Sequence, residues 1–146
     1  MEQKIIWMQL LLIGILSSLT SCTEKTDDSY YEKYVFKNNS NHEIVIEAYT
    51  RNDDDYLKNT YSISKDSSLV QEIEIMFGSK TGIVALSDSV EIFFDNTKYN
   101  WFLPNSESEN NFLDRNNYLM DKLSDNHVKY TYVFTDNDYN NADSLK

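Results

Sequence analysis

Two histidines, one cysteine and a surplus of carboxylates are the side chains of this chain with chemistry to offer. Among 146 residues there are 24 Asp and Glu against 13 Lys and Arg. His42 follows "NNSN" and His127 follows "SDN", so each begins a strand or ends a turn. Neither stands at metal-ligand spacing from another histidine, and HExxH does not occur. No GxSxG exists to lift a serine onto a nucleophile elbow. Past residue 21 the only glycines are Gly78 and Gly82, which excludes GxGxxG and phosphate-cradling loops. Carboxylates are so abundant that a pair proves nothing, because glycosidase chemistry needs two at a set separation in a cleft. "DNDYNN" starts like a calcium loop, with Asp136, Asp138 and Asn140 at positions one, three and five. Position six is Asn141 where the sharp turn needs glycine, and no Glu follows at position twelve. The same residues read better as a helix start, Thr135 capping and Asp138 three residues later. The sequence predicts a non-enzymatic chain with no cofactor and no metal.

Aromatic residues offer a different chemistry. There are 11 Tyr and 7 Phe, and "KYNWFL" places Tyr99 and Trp101 two residues apart, on one face of a strand. Such a pair can stack sugar rings while nearby Asn and Asp hold the hydroxyls. The same pair can instead fill a core, with Asn100 and Phe102 pointing elsewhere, which is the usual place of large rings in strands. Tyr30, Tyr31 and Tyr34 suggest a second aromatic patch near the amino terminus.

Cysteine occurs once, in "SSLTSCTEKTDD", directly after an apolar run. A short start with one lysine, then "IIWMQLLLIGIL", then small neutral residues follow the order of a secretory signal peptide over residues 1–21. The apolar run is too short to span a bilayer, which takes about 20 residues. Leu19-Thr20-Ser21-Cys22 resembles the lipobox of bacterial lipoproteins. That resemblance implies cleavage before Cys22, acylation of its thiol and new amino group, and anchorage at the outer membrane. Several acyl chains together give stable anchoring where one does not. Residues 22–30 then form a tether. Its Asp27 and Asp28 resemble the acidic surface-export signal of Bacteroidota lipoproteins, which implies display at the cell surface, although a plain solvated linker has the same composition. Glu2 and Lys4 cancel, so the net charge of -11 rests wholly on the exported part. A surface so acidic repels phosphate backbones and excludes nucleic acid as a partner.

The elements that must position these residues have a period of two from Tyr31 onward. "YVFKNNSNHEIVIEAY" reads as strand, turn, strand, with Tyr34 and Phe36 inward, then Ile44, Ile46 and Ala48. "QEIEIMF" puts Ile73, Ile75 and Phe77 inward, and "SVEIFF" does the same with Val90, Ile92 and Phe94. "HVKYTYVFT" aligns Val128, Tyr130, Tyr132 and Phe134. "FLDRNNYLMDKL" fits one or two irregular helical turns. With so few Gly and Pro, the turns must use Asn, Asp and Ser. Residues 31–146 are therefore expected to form one all-β domain, an antiparallel β-sandwich or open barrel with a short carboxy-terminal helix.

"YVFKNNSNHEIVIEAY", "SDSVEIFFDNTK" and "YTYVFTDNDYNNA" resemble phrases of small Bacteroidota lipoproteins, where they recur as first hairpin, middle strand and final strand with helix. No activity is assigned to that family, so it implies compartment and architecture and supplies no reaction. Asp88-Ser89-Val90 and Asp143-Ser144-Leu145 are similar to the O-glycosylation signal of such exported proteins. The expected function is binding or assembly at the outer membrane through a glycan or an envelope protein. A surface glycan module built on Tyr99 and Trp101 is the alternative.

Overall fold

The computed structural model describes residues 29–53, 55–75, 82–106 and 110–145. The signal segment, Cys22, Asp27, Asp28 and Phe77 lie outside the described residues. Among the described residues, nine strands form two sheets: β1 (Tyr30–Asn38), β2 (Ile44–Asn52), β3 (Asp55–Ile63), β4 (Ser68–Ile75), β5 (Ser89–Phe94), β6 (Lys98–Phe102), β7 (Leu119–Ser124), β8 (His127–Phe134) and β9 (Asp143–Ser144). Two short helices, α1 (Ile83–Leu86) and α2 (Asp136–Asn141), join them. The four-stranded sheet has the order β4-β1-β8-β7, and the five-stranded sheet β3-β2-β5-β6-β9. This is the expected all-β sandwich with a small carboxy-terminal helix. No described helix is long and apolar enough to cross a membrane.

The alternation works as expected where both neighbours of a strand are paired. Tyr34, Phe36, Ile44, Ile46, Val90, Ile92, Phe94, Tyr132 and Phe134 are buried in one cluster drawn from both sheets. Each large apolar side chain there contributes roughly 1.5–3 kcal/mol over its exposed state. Phe112 is at its centre, ringed by Phe36, Phe102, Tyr118, Tyr132 and Phe134 at centroid distances of 5.2 to 6.3 Å. Burial drives the Tyr118 phenol far above its usual range, so it keeps its hydrogen and donates to the Phe112 carbonyl at 2.7 Å. Asp95 and Asn96, both left-handed, make the tight β5–β6 turn that glycine would otherwise supply. Gly82 does need to be glycine: its φ is +84°, and a Cβ would stand 2.3 Å from Ile73.

Four expectations are corrected. β1 and β2 are not a hairpin. β1 pairs with β4 and β8 in one sheet, β2 with β3 and β5 in the other, so "NNSN" carries the chain across the sandwich. Asn38 is fully buried there, its amide donating to the carbonyls of His42 at 2.8 Å and Ile63 at 3.1 Å. The ladder between β1 and β8 is parallel, so the sheets are not antiparallel throughout. "FLDRNNYLMDKL" gives a single 3-10 turn at Arg115–Asn117 and then strand β7, every residue of which is exposed. Finally, Tyr34 is core and not part of an outer patch with Tyr30 and Tyr31. It donates to Glu32 at 2.7 Å, a buried carboxylate that Arg115 grips with Nη1 and Nη2, each at 2.9 Å.

Candidate binding face on the five-stranded sheet

Because Val90, Ile92 and Phe94 face the core, Glu91 and Phe93 of β5 must face out. The same rule turns Val45, Glu47 and Tyr49 of β2 outward. On β6, Phe102 is buried, so Tyr99 and Trp101 share the outer face. The alternative in which those two rings fill the core is thereby excluded, since Trp101 is 60% exposed. Register then assembles two rows across the sheet. One runs Val45, Phe93, Tyr99 and Asp143, and the next runs Glu47, Glu91 and Trp101. Side chains directly opposite across a ladder have Cβ atoms about 5 Å apart, so each row is a line of contacts.

The rings of Phe93 and Tyr99 lie 6.2 Å apart and 25° from parallel. Beside them is a concavity of about 690 Å³ lined by Glu91, Phe93, Tyr99, Asp143, Ser144 and Leu145. Ser144, in the segment that resembles a glycosylation signal, is exposed there. Ser89 begins β5 and is half-buried.

Electrostatics divide the face. The Tyr49 hydroxyl lies 2.8 Å from Glu47 and 3.0 Å from Glu91. It carries one hydrogen for two carboxylates. Burial, with those two carboxylates, pushes the Tyr49 phenol above its usual range, so the hydrogen stays. Lys58 bonds Glu47 at 2.9 Å and holds its carboxyl below the usual range. Among the described residues, Glu91 and Asp143 have no ion pair. Lys98 is turned elsewhere, its ammonium donating to the carbonyls of Tyr139 at 3.1 Å and Asn140 at 3.3 Å.

The histidines are elsewhere. His42 Nδ1 meets Asp95 at 2.5 Å, its ring stacks on Tyr139 at 3.5 Å, and Nε2 is 4.0 Å from Asp136. Asp136 also accepts from the amide of Asn41 at 2.8 Å. These contacts clamp the β1–β2 crossover to the β5–β6 turn and to α2, and His42 lines neither this concavity nor the smaller one beside β7. His127 packs against Tyr31, with Glu72 at 3.6 Å, beyond hydrogen-bond reach. Thr135 is the N-cap of α2 as expected, with Asp138 at the third position accepting from the Thr135 amide at 2.7 Å. No group of three His, Cys, Asp or Glu among the described residues could hold a metal ion.

Sequence reasoning found Tyr99 and Trp101 and missed Glu47, Tyr49, Glu91, Phe93 and Asp143. Phe93 had a signal, since two adjacent phenylalanines in a strand cannot both face the core. The others had none, because strand order decides who stands beside β6. Compared with protein-family models, curated proteins and solved structures, the chain matches none of them.

Proposed function

We propose that this chain is a non-enzymatic, lipid-anchored envelope protein that binds carbohydrate on the outer face of its five-stranded sheet. Acylated Cys22 holds it at the outer membrane, and Asp27 and Asp28 direct it to the cell surface. One observation carries the binding half of this reading: Trp101 is exposed on the same face as Tyr99, in a strand whose core position is filled by Phe102. The polarised C–H groups of a pyranose pack against the electron-rich face of an indole or phenol, and carboxylates accept from its hydroxyls. Titration calorimetry of the full chain in a non-glycosidic detergent, against neutral tetrasaccharides, tests it. Binding that disappears in Trp101→Ala supports the reading, and identical binding in that variant overturns it. Labelled-palmitate incorporation that is lost in Cys22→Ala tests the anchor.

A second reading, assembly with an envelope protein, is favoured by strand β7. Leu119, Met120 and Leu123 are exposed on this edge strand, which offers unpaired backbone as well as apolar surface. A photoreactive residue at position 119 should give a discrete crosslinked adduct in cells, lost in Met120→Asp. No adduct would leave the sugar face as the single binding surface.

A further inference from the structure

We infer that the carbohydrate this face selects is an amino sugar carrying a free ammonium group. The inference rests on the carbohydrate reading above and narrows its ligand class. Three features of the face converge on a cation. The first is the unequal sharing among Glu47, Tyr49 and Glu91. Lys58 answers Glu47, and the single Tyr49 hydrogen is divided between the two carboxylates, so Glu91 has no cation of its own among the described residues. The second is placement. Glu91 stands directly opposite Trp101, and Asp143 directly opposite Tyr99, so each uncompensated carboxylate has an aromatic ring as its cross-strand neighbour. Aromatic faces attract cations by their quadrupole, and adding a carboxylate makes the pair a better receptor for an ammonium than either alone. The third is the concavity, which Glu91 and Asp143 both line together with Phe93 and Tyr99.

A neutral sugar would use the rings and donate hydroxyls to the two carboxylates, but would leave their charge unbalanced. An N-acetylated sugar would bring an amide where the face offers acceptors without charge complement. A hexosamine engages both kinds of group: its ring packs on Trp101 or Tyr99, and its ammonium donates to Glu91 or Asp143. Arg51 is the one further cation on this face of β2, and it stands beyond Tyr49, opposite Tyr56 and away from β6.

Calorimetry of the full chain with three tetramers provides the test: β-1,4-linked glucosamine, its fully N-acetylated counterpart, and β-1,4-linked glucose. The glucosamine tetramer should bind at least tenfold tighter than either other sugar, with a preference that shrinks as salt is raised. Glu91→Gln and Asp143→Asn should each remove most of that preference while weakening the glucose tetramer several-fold less than the glucosamine tetramer. Because the whole chain is acidic, Glu74→Gln on the opposite sheet controls for net charge and should leave the preference intact. Equal affinity for the three tetramers would overturn this inference and leave the carbohydrate reading standing. If no tetramer binds, the carbohydrate reading falls and this inference with it. Displacement of the glucosamine tetramer by an equimolar lysine-rich peptide would also overturn it, by showing a receptor for cations irrespective of sugar.

Discussion

Across the outer face of the four-stranded sheet, Glu72, Lys33, Lys129 and Asp121 form one row, with charges in the order minus, plus, plus, minus. Lys129 meets Asp121 at 2.8 Å and Lys33 meets Glu72 at 4.0 Å, so the row closes on itself. The corresponding row of the five-stranded sheet reads Glu47, Glu91, Trp101: two like charges directly opposite one another, then an exposed indole. Like charges facing across a ladder destabilise a sheet. Lys33 and Lys129 face one another too, but each has a carboxylate of its own, whereas of Glu47 and Glu91 only Glu47 has a cation among the described residues. One face therefore neutralises its own charge, while the other retains charge and aromatic surface that a ligand could complete. Both faces cover the same core, so the difference is not a difference in folding requirement. It marks the five-stranded sheet as the side whose outer face keeps charge and aromatic surface that folding does not use.

The largest effect should come from breaking the buried charge of the four-stranded sheet. Glu32 is on its inner face, held by Arg115 from 83 residues away. Arg115→Ala leaves that carboxylate buried with only the Tyr34 hydroxyl, and should lower stability by about 3 kcal/mol in urea unfolding. Sugar affinity of the folded protein should not change. A parallel loss of affinity would show that the two sheets are coupled and would break the comparison.

Next in size is the crossover between the sheets. Asn38→Ala removes two donors to buried carbonyls and the acceptor for the Ser40 amide and hydroxyl. A loss of about 2 kcal/mol is expected from these unpaired groups. Thermal unfolding followed separately by aromatic and backbone signals checks it. Both signals should move together, because this residue belongs to neither face alone.

Asn38 also marks where the sequence stops being legible. "NNSN" announces a turn, and nothing local distinguishes a hairpin from a crossing to the other sheet. Alternation gave the inward residues of β1, β2, β5 and β8, since each is paired on both sides and buried on one. It could not give β7, whose six residues are all exposed and carry no alternation of burial. Phe112 at the centre of the core was equally hidden, sitting in an irregular stretch without period. The candidate site was half legible for the same reason. Tyr99 and Trp101 follow from spacing within one strand, whereas Glu91 and Asp143 become their neighbours only through pairing.

Acid should act on the five-stranded side and its crossover. Asp95 is held below the usual carboxylate range by its bond to His42 and by the Glu43 amide, Asp136 by Asn41, and Glu47 by Lys58. A lowered carboxylate pKa in the folded state contributes stability above the unfolded value of about 4, and that contribution fades as pH falls through the folded value. Stability should thus be flat near neutrality and decline below about pH 4. Asp95→Asn should flatten the decline in urea titrations repeated across that range. An unchanged slope would mean that the His42 clamp does not hold the crossover.

The smallest effect has the opposite sign and tests the comparison most directly. Glu91→Gln removes one of the two like charges facing across β2 and β5 and leaves Tyr49 free to give its hydrogen to Glu47 alone. The side chain keeps its length, and its surface is outside the core, so no cavity forms. Stability should rise by about 0.5 kcal/mol, the scale of a cross-strand pair. Lys129→Ala on the other sheet should lower it by under about 1 kcal/mol, since an ion pair of half-exposed groups is lost. Opposite signs from two charge removals on two outer faces are what a self-neutralised face and an uncompensated face require. If Glu91→Gln instead destabilises, Glu91 is a structural partner of Tyr49 rather than a free acceptor, and the case for an ammonium ligand at that position is lost.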